Sequence, residues 1–177
     1  MRRQQPPKTK KNSPQLQSLS RHGVTQPTLR ARALRLLGRR EFTRQELDKR
    51  LRAYAEDLAE LQTLLDDLSE RGWLSDTRYA DALVRKRTGQ YSRRAIAQEL
   101  KQAGVSEDVT AAALALADPD EEFAAALALC QRKFRRPPAD QKEKARQIRF
   151  LQSRGYSLSL ALRVIKQSGA QNEDTGA

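Results

Sequence analysis

The stretch that decides the fold is GWLSDTRYADALVRKRTGQYSRRAIAQELKQAGV, residues 72–105, which predicts two helices joined by a basic connection. Ser75 and Ser92 are the predicted N-caps of these helices, because a serine hydroxyl can accept a hydrogen bond from the first helical turn. Apolar residues on both sides of each serine can form the hydrophobic staple that fixes the entry of the chain. The connection, residues 85–94, holds five cations and a tyrosine without an acid. Such a segment is typical of a surface that faces phosphates or acidic groups.

The composition of the whole chain favours a helical protein with a polyanionic partner. Of its 177 residues, 38% are apolar and 32% are charged, so a core must be spread thinly over amphipathic helices. The 34 Lys and Arg residues exceed the 22 Asp and Glu residues by 12. This excess favours a polyanion, above all nucleic acid, as the partner. The alternative is an ordinary solvated surface, and net charge alone does not distinguish the two.

Several features of the sequence indicate a cytoplasmic protein without membrane contact. The single cysteine, Cys130, has no second cysteine with which to form an internal disulfide, which fits a reducing compartment. The basic N-terminus is not followed by the apolar segment of a signal peptide. No window approaches the ~20 consecutive apolar residues that a membrane-spanning helix needs.

The two ends of the chain are predicted to lie outside the folded part. Residues 1–26 contain six cations, three prolines and no acid, with almost no periodic apolar residues, so we expect a disordered basic tail. Half of the net charge therefore belongs to this tail. It either adds non-specific attraction to polyanions or serves as a solubility appendage. Residues 170–177 are predicted to be a frayed C-terminus.

Internal similarity predicts an all-α protein built from repeats. The pattern is helical from residue 27 onward, and no segment shows the alternation typical of a strand. Sliding the sequence by 49 residues places Leu47 on Ile96, and a further slide of 51 places Leu100 on Leu151. We therefore expect three tandem three-helix repeats in an elongated, curved array, which offers long surfaces for binding rather than deep pockets for catalysis. The predicted units are residues 27–72, 73–117 and 118–169.

Helix start signals recur in the outer repeats. Thr43 and Glu46 form a predicted capping box, and Asp118 and Asp140 are predicted N-caps. Cys130 falls on the apolar face of the helix after Asp118, so we expect a core residue rather than a reactive or metal-bound thiol. The apolar stripe of the last helix is predicted to contain Leu158, Ala161, Leu162 and Ile165.

The central stretch resembles the signature of the RecX family. Residues 72–80, GWLSDTRYA, resemble the glycine-led segment of that family that ends in Arg, an aromatic residue and Ala. A basic, glycine-containing connection follows, shorter here than is usual, and residues 93–105, RRAIAQELKQAGV, resemble the helix after it. The similarity extends in order and repeat layout over residues 27–169 and is densest in the central stretch.

This resemblance implies a bacterial cytosolic regulator of the RecA recombinase. Members of the family are elongated three-repeat helical proteins that bind in the groove of the RecA–DNA filament. They limit its extension and inhibit its ATPase and co-protease activities in recombination, DNA repair and the SOS response. The resemblance further implies a monomer with no enzymatic activity and no cofactor, which makes weak, non-specific contact with single- or double-stranded DNA.

Two basic clusters are the candidate surface for the filament. The repeat offset of 51 places Arg85 on Arg136, so we expect both clusters on one face. The alternative is that these cations are solvated faces paired with local acids, although no acid falls within residues 85–94. Asp76 and Arg78 are expected to be structural, and Trp73 and Tyr79 to pack between units. The candidate binding residues are Arg85, Lys86, Arg87, Arg93, Arg94, Lys101, Arg132, Lys133, Arg135 and Arg136.

Two other functional classes are weaker on the sequence. A helix-turn-helix DNA-binding protein is suggested by Ala97 and the turn at Gly104, but their spacing is seven residues where that motif has about four. The following residues 107–113 also lack the Arg, Asn and Gln that read base edges. An enzyme is disfavoured because the sole histidine, His22, lies in the tail, and no metal-ligand cluster or phosphate-binding glycine loop is evident.

Overall fold

A computed structural model describes residues 27–115 and 121–173, with side chains through residue 169. Within these ranges the structure is all-α, as predicted, and contains no strand. The predicted tail, the predicted N-cap Asp118 and residues 174–177 lie outside the described residues. The helices are α1 Leu29–Leu37, α2 Arg44–Leu51, α3 Leu58–Glu70, α4 Asp76–Arg87, α5 Arg93–Gln102, α6 Glu107–Ala115, α7 Glu121–Lys133, α8 Gln141–Ser153 and α9 Leu158–Glu173, with a 3₁₀ turn at Arg52–Tyr54.

The helices form three consecutive units, α1–α3, α4–α6 and α7–α9, and each unit has its own apolar core. Leu47, Leu61 and Leu65 are fully buried in the first unit, Leu100 in the second and Leu151 in the third. Each fully buried leucine stabilises its unit by about 1.5–3 kcal/mol relative to exposure. The chain is therefore an array of three-helix repeats, as its internal similarity predicted.

The local signals in the sequence set most helix starts. The side-chain oxygens of Thr43, Ser75, Ser92 and Asp140 each accept a hydrogen bond from the backbone N–H three residues later, which confirms these four N-caps. Each such cap stabilises its helix by about 1 kcal/mol. The carboxylate of Glu46, the other half of the predicted capping box, lies 2.9 Å from Arg40 Nη1.

Two sequence predictions about packing are wrong. Leu158 and Leu162 are 52% and 42% exposed, because α9 turns Val164 rather than these residues into the core beside Ala161 and Ile165. Trp73 is 45% exposed rather than packed between units, and the guanidinium of Arg71 lies 5.9 Å from its ring.

Neighbouring repeats are joined twice by the same kind of contact. At the first joint, Thr43 Oγ1 donates to the carbonyl of Ala103 over 2.6 Å, and the N–H of Arg44 donates to Asp76 Oδ1 over 2.8 Å. The N-terminus of the second helix of one repeat thus docks against the next repeat. Asp76 therefore supports α2 as well as the start of its own helix. Arg78 pairs with Glu41 of the first repeat at 2.9 Å, which confirms its structural role.

The second joint, between the middle and third units, uses equivalent positions, but here the backbone N–H of the cap residue donates instead of its hydroxyl. The N–H of Ser92 donates to the carbonyl of Arg154 over 2.9 Å, and the N–H of Arg93 donates to Glu122 Oε1 over 3.1 Å. Ser92 occupies the place of Thr43, and Arg154 that of Ala103. The sequence offsets of 49 and 51 residues therefore correspond to a repeated docking contact.

A glycine allows the close approach at each joint. Gly104 and Gly155 have φ angles of +85° and +87°. Residues other than glycine rarely adopt a positive φ. A Cβ on Gly104 would lie 2.5 Å from Gln45 Oε1. A Cβ on Gly155 would lie 2.5 Å from Ser92 Oγ and 2.6 Å from the Cβ of Ala95. The turn between the second and third helices must therefore remain free of a side chain where the preceding repeat packs on it.

Candidate functional site

The end of α4 presents two cations to solvent. Arg85 and Lys86 lie in the last turn of this helix, where the partial negative charge of the helix terminus favours cations. Both side chains are exposed, as is that of Arg94 in the first turn of α5. None of the three forms an ion pair within the described part of the chain. These side chains are consequently available to an anionic partner.

Arg87 differs from its neighbours because it is paired with an acid. Its Nη2 lies 2.7 Å from Glu99 Oε1, its Nε lies 3.0 Å from Oε2, and its guanidinium is 5.0 Å from the ring of Tyr91. The hydrogen bonds that Arg87 donates to Glu99 raise the pKa of its guanidinium. Arg87 therefore follows the alternative of a cation paired with a nearby acid, although that acid lies outside residues 85–94. This pair could not be recognised in the sequence, because Glu99 lies on the next helix, twelve residues away.

Two further candidates are also engaged within the protein. Arg93 is half-buried at the second joint, where its N–H reaches Glu122. Lys101 Nζ lies 3.9 Å from Glu107 Oε1, with both side chains largely exposed. An exposed pair at this distance contributes little to stability and leaves the lysine accessible to solvent.

Tyr91 is part of the second joint rather than a solvent-facing aromatic of the basic connection. Its ring is half-buried between two guanidinium groups, that of Arg87 at 5.0 Å and that of Arg154 of the third repeat at 4.8 Å. Cations over an aromatic face are attracted to its negative quadrupole. The aromatic residue in the basic connection therefore links two repeats.

The third repeat carries the other cluster at the end of α7. Arg132 and Lys133 lie in the last turn of this helix, and Arg135 and Arg136 lie in the connection to α8. All four are exposed, and none is ion-paired among the described residues. Because α4 and α7 are the first helices of their repeats, the two clusters occupy equivalent ends. That they share one face stays a prediction.

Arg146 belongs to the same surface and was missed in the sequence. It is exposed on α8, and its guanidinium lies 5.2 Å from the ring of Phe134, beside Arg135. The signal that could have found it is the run of Lys and Arg along residues 142–149, which follows the proline pair of the connection.

Charge is distributed unevenly over the three repeats. Residues 27–72 contain ten Lys and Arg against nine acids, and residues 73–117 contain seven against five. Residues 118–169 contain eleven against six, an excess of five that is the largest of the three. The third repeat is therefore the most strongly basic part of the folded array.

The exposed face of α6 does not favour a helix-turn-helix DNA-binding protein. On α6, the helix that would read DNA in a helix-turn-helix protein, the exposed residues include Glu107, Asp108, Ala111 and Ala112, which cannot donate hydrogen bonds to base edges. Cys130 is 2% exposed, and burial raises the pKa of its thiol, which fits the predicted core role. Across the described ranges, no helix is long and apolar enough to cross a membrane, and no group of His, Cys, Asp and Glu could hold a metal ion.

Comparisons with known proteins agree with the repeat architecture. The second three-helix domain of RecX matches residues 75–114, and the third matches residues 120–165. The chain is 40% identical over 147 residues to the regulatory protein RecX of Ralstonia nicotianae, covering 83% of this chain and 92% of that protein. It is 36% identical over 151 residues to RecX of Neisseria meningitidis serogroup A, covering 85% and 97%. The crystal structure of RecX from Lactobacillus salivarius shares the fold, with a TM-score of 0.65, 17% identity, and coverage of 78% of this chain and 93% of that one.

Proposed function

We propose that this chain, which belongs to the RecX family of regulatory proteins, binds in the groove of the RecA–DNA filament and limits its extension. It acts in the cytoplasm as a monomer and has no enzymatic activity of its own. By occupying the groove, it inhibits the ATPase and co-protease activities of the filament and so regulates recombination, DNA repair and the SOS response. The observation that carries the proposal is the identity of 36–40% to RecX proteins over nearly their whole length.

The charge and architecture of the chain support this proposal physically. A protein filament on DNA presents a long groove, and an array of repeats offers a long surface to match it. Arg85 and Lys86 in the middle repeat and Arg135 and Arg136 in the third are exposed and unpaired within the described residues. Cations at two equivalent helix ends attract a polyanionic groove at two points, which increases the rate and strength of docking.

The experiment that tests the proposal measures ATP hydrolysis by RecA on single-stranded DNA. Adding this protein to preformed filaments should lower the steady-state rate, and the inhibition should increase with the ratio of this protein to RecA. A variant with Arg85 and Lys86 replaced by Ala should inhibit less at the same concentration. An unchanged ATPase rate at a large excess of the wild-type protein would defeat the proposal.

A further inference from the structure

The connection between α7 and α8 forms a crevice in which cations outnumber acids. One carboxylate is present, that of Glu143, and it accepts a hydrogen bond of 2.9 Å from the N–H of Ala139. The acid thus supports the start of α8 and pairs with none of the cations of the crevice. The charged residues that line the crevice are Lys133, Arg135, Arg136, Glu143 and Arg146.

A buried glutamine holds the backbone of this connection. Gln147 is 4% exposed, and its Nε2 donates to the carbonyl of Arg136 over 3.3 Å. Its Oε1 accepts from the thiol of Cys130 over 3.8 Å, so one side chain links α7, the connection and α8. Pro137 and Pro138 follow directly, and their rings fix φ near −65°. The segment that carries the two arginines is therefore held in place before any partner arrives.

Aromatic packing fixes the opposite wall of the crevice. The rings of Phe134 and Phe150 meet edge to face, with centroids 5.3 Å apart and an interplanar angle of 83°. Arg146 lies over the ring of Phe134, which directs its guanidinium along the crevice while leaving it exposed. A guanidinium can stack on an aromatic ring and still donate two parallel hydrogen bonds to an anion.

We propose that this crevice, defined by Lys133, Arg135, Arg136 and Arg146, binds the phosphate backbone of a nucleic acid strand without regard to its sequence. The four cations lie on a preformed, concave surface, which suits a chain of phosphates better than the flatter acidic patches of a protein. Among the residues that the structure describes, none of the four has an acid partner to displace. The crevice offers no Asn and no exposed Gln with which to read a base edge.

The inference rests on the proposed function, because it makes the third repeat the part of the regulator that contacts DNA rather than RecA. What it adds is a location, because it assigns the direct DNA contact of this chain to one surface, the crevice. The crevice can therefore be tested with DNA in the absence of RecA, which separates it from the proposed regulatory activity.

The test compares two double variants of the full chain by fluorescence anisotropy on a labelled single-stranded oligonucleotide. R135A/R136A removes two cations of the crevice, and K49A/R50A removes two exposed cations of α2. Both variants lose the same charge and keep the basic N-terminal segment. R135A/R136A should bind on the order of tenfold more weakly, and the slope of log affinity against log salt should fall in magnitude by about 1.4, or 0.7 per arginine. The control should remain close to the wild type.

The other possible results would overturn the crevice as a site, its assignment to phosphates or the proposed function. Equal weakening in both variants, or a wild-type chain with no salt-dependent DNA binding, would overturn the crevice as a site. If R135A/R136A binds DNA normally but loses affinity for the RecA filament, the crevice contacts acidic protein surface and the phosphate assignment is wrong. A wild-type chain that binds DNA through the crevice but leaves RecA ATP hydrolysis unchanged would support the crevice and defeat the proposed function instead.

Discussion

The first and third repeats have the same helix order and nearly the same number of cations, yet they present different surfaces. Residues 27–72 carry ten Lys and Arg and residues 118–169 carry eleven. In the first repeat, five ion pairs join arginines to acids of the same repeat. In the described part of the third repeat, no ion pair is present. The number of cations therefore does not show which of them are available to a partner, whereas their pairing does.

The ion pairs of the first repeat affect the availability of its cations more than the stability of the fold. The carboxylate of Asp67 accepts hydrogen bonds from both Arg30 and Arg71. Arg44 Nη1 lies 2.7 Å from Asp66 Oδ1. Exposed ion pairs of this kind stabilise a protein by only about 0–1 kcal/mol each. Their main consequence is that five arginines of this repeat are neutralised by acids and are less available to a polyanion.

Both outer repeats are joined to the middle repeat at a glycine-containing turn. The largest effect on stability is expected from substitutions at these glycines. G155A should destabilise the protein by on the order of 3 kcal/mol, because the new Cβ combines a positive φ with a clash against the rigid Cβ of Ala95. G104A should destabilise it by a similar amount, since the new Cβ would lie 2.7 Å from the Cβ of Gln45 as well as 2.5 Å from its Oε1. G89A is the matched control, with φ of +77° and no atom near the added Cβ. Urea unfolding monitored by circular dichroism measures all three variants.

The order of these variants decides whether the joints depend on close packing. If G89A destabilised the chain as much as G155A, the positive φ alone would account for the effect. The close packing at the two joints would then contribute little to stability. A greater effect for G104A than for G155A would show that the first joint is the more tightly packed.

The middle repeat contains both an ion-paired arginine and unpaired cations, and one pair of variants tests the difference between them. R87A should destabilise the chain by about 1 kcal/mol, because it removes the hydrogen bonds to Glu99 and the contact with Tyr91. R85A should leave stability unchanged and weaken binding to the filament, since Arg85 is exposed and unpaired among the described residues. Thermal melting and filament co-sedimentation measure the two effects. A loss of stability in R85A instead of R87A would contradict the assignment.

The smallest expected effect comes from making the first repeat resemble the third. D67N removes the acid shared by Arg30 and Arg71, so these cations should become available and DNA affinity should rise slightly. Hydrogen bonds from Arg71 and Arg30 hold the pKa of Asp67 below its ordinary value of 3.8. A carboxyl with a lowered folded-state pKa contributes stability above its unfolded-state pKa and loses it as the pH falls.

The pH dependence provides the check on this variant. The wild type should be slightly more stable than D67N at neutral pH, and the difference should disappear as the pH falls below about 4. Denaturant unfolding at a series of pH values measures it. A difference that persists in acid would show that Asp67 stabilises the repeat through packing rather than through its charge.

Local patterns in the sequence determined the helical class, the repeat architecture and most helix starts. Thr43, Ser75, Ser92 and Asp140 could be identified as caps because a cap depends on residues within four positions along the chain. The exposed cations Arg85, Lys86 and Arg94 were found for a similar reason, since a run of like charges without an acid is visible in sequence. Whether these residues bind the filament stays a prediction.

Only the tertiary structure decided which cations are committed within the protein and which remain available. Arg87 pairs with Glu99 across twelve positions, and Arg78 pairs with Glu41 across 37. The sequence places Tyr91 in the basic connection before the Ser92 cap, but only the docking of the third repeat brings Arg154 against its ring. Caps and apolar stripes are set by neighbours along one helix, whereas ion pairs and inter-repeat contacts depend on how separate helices pack, and that packing is a property of the whole array.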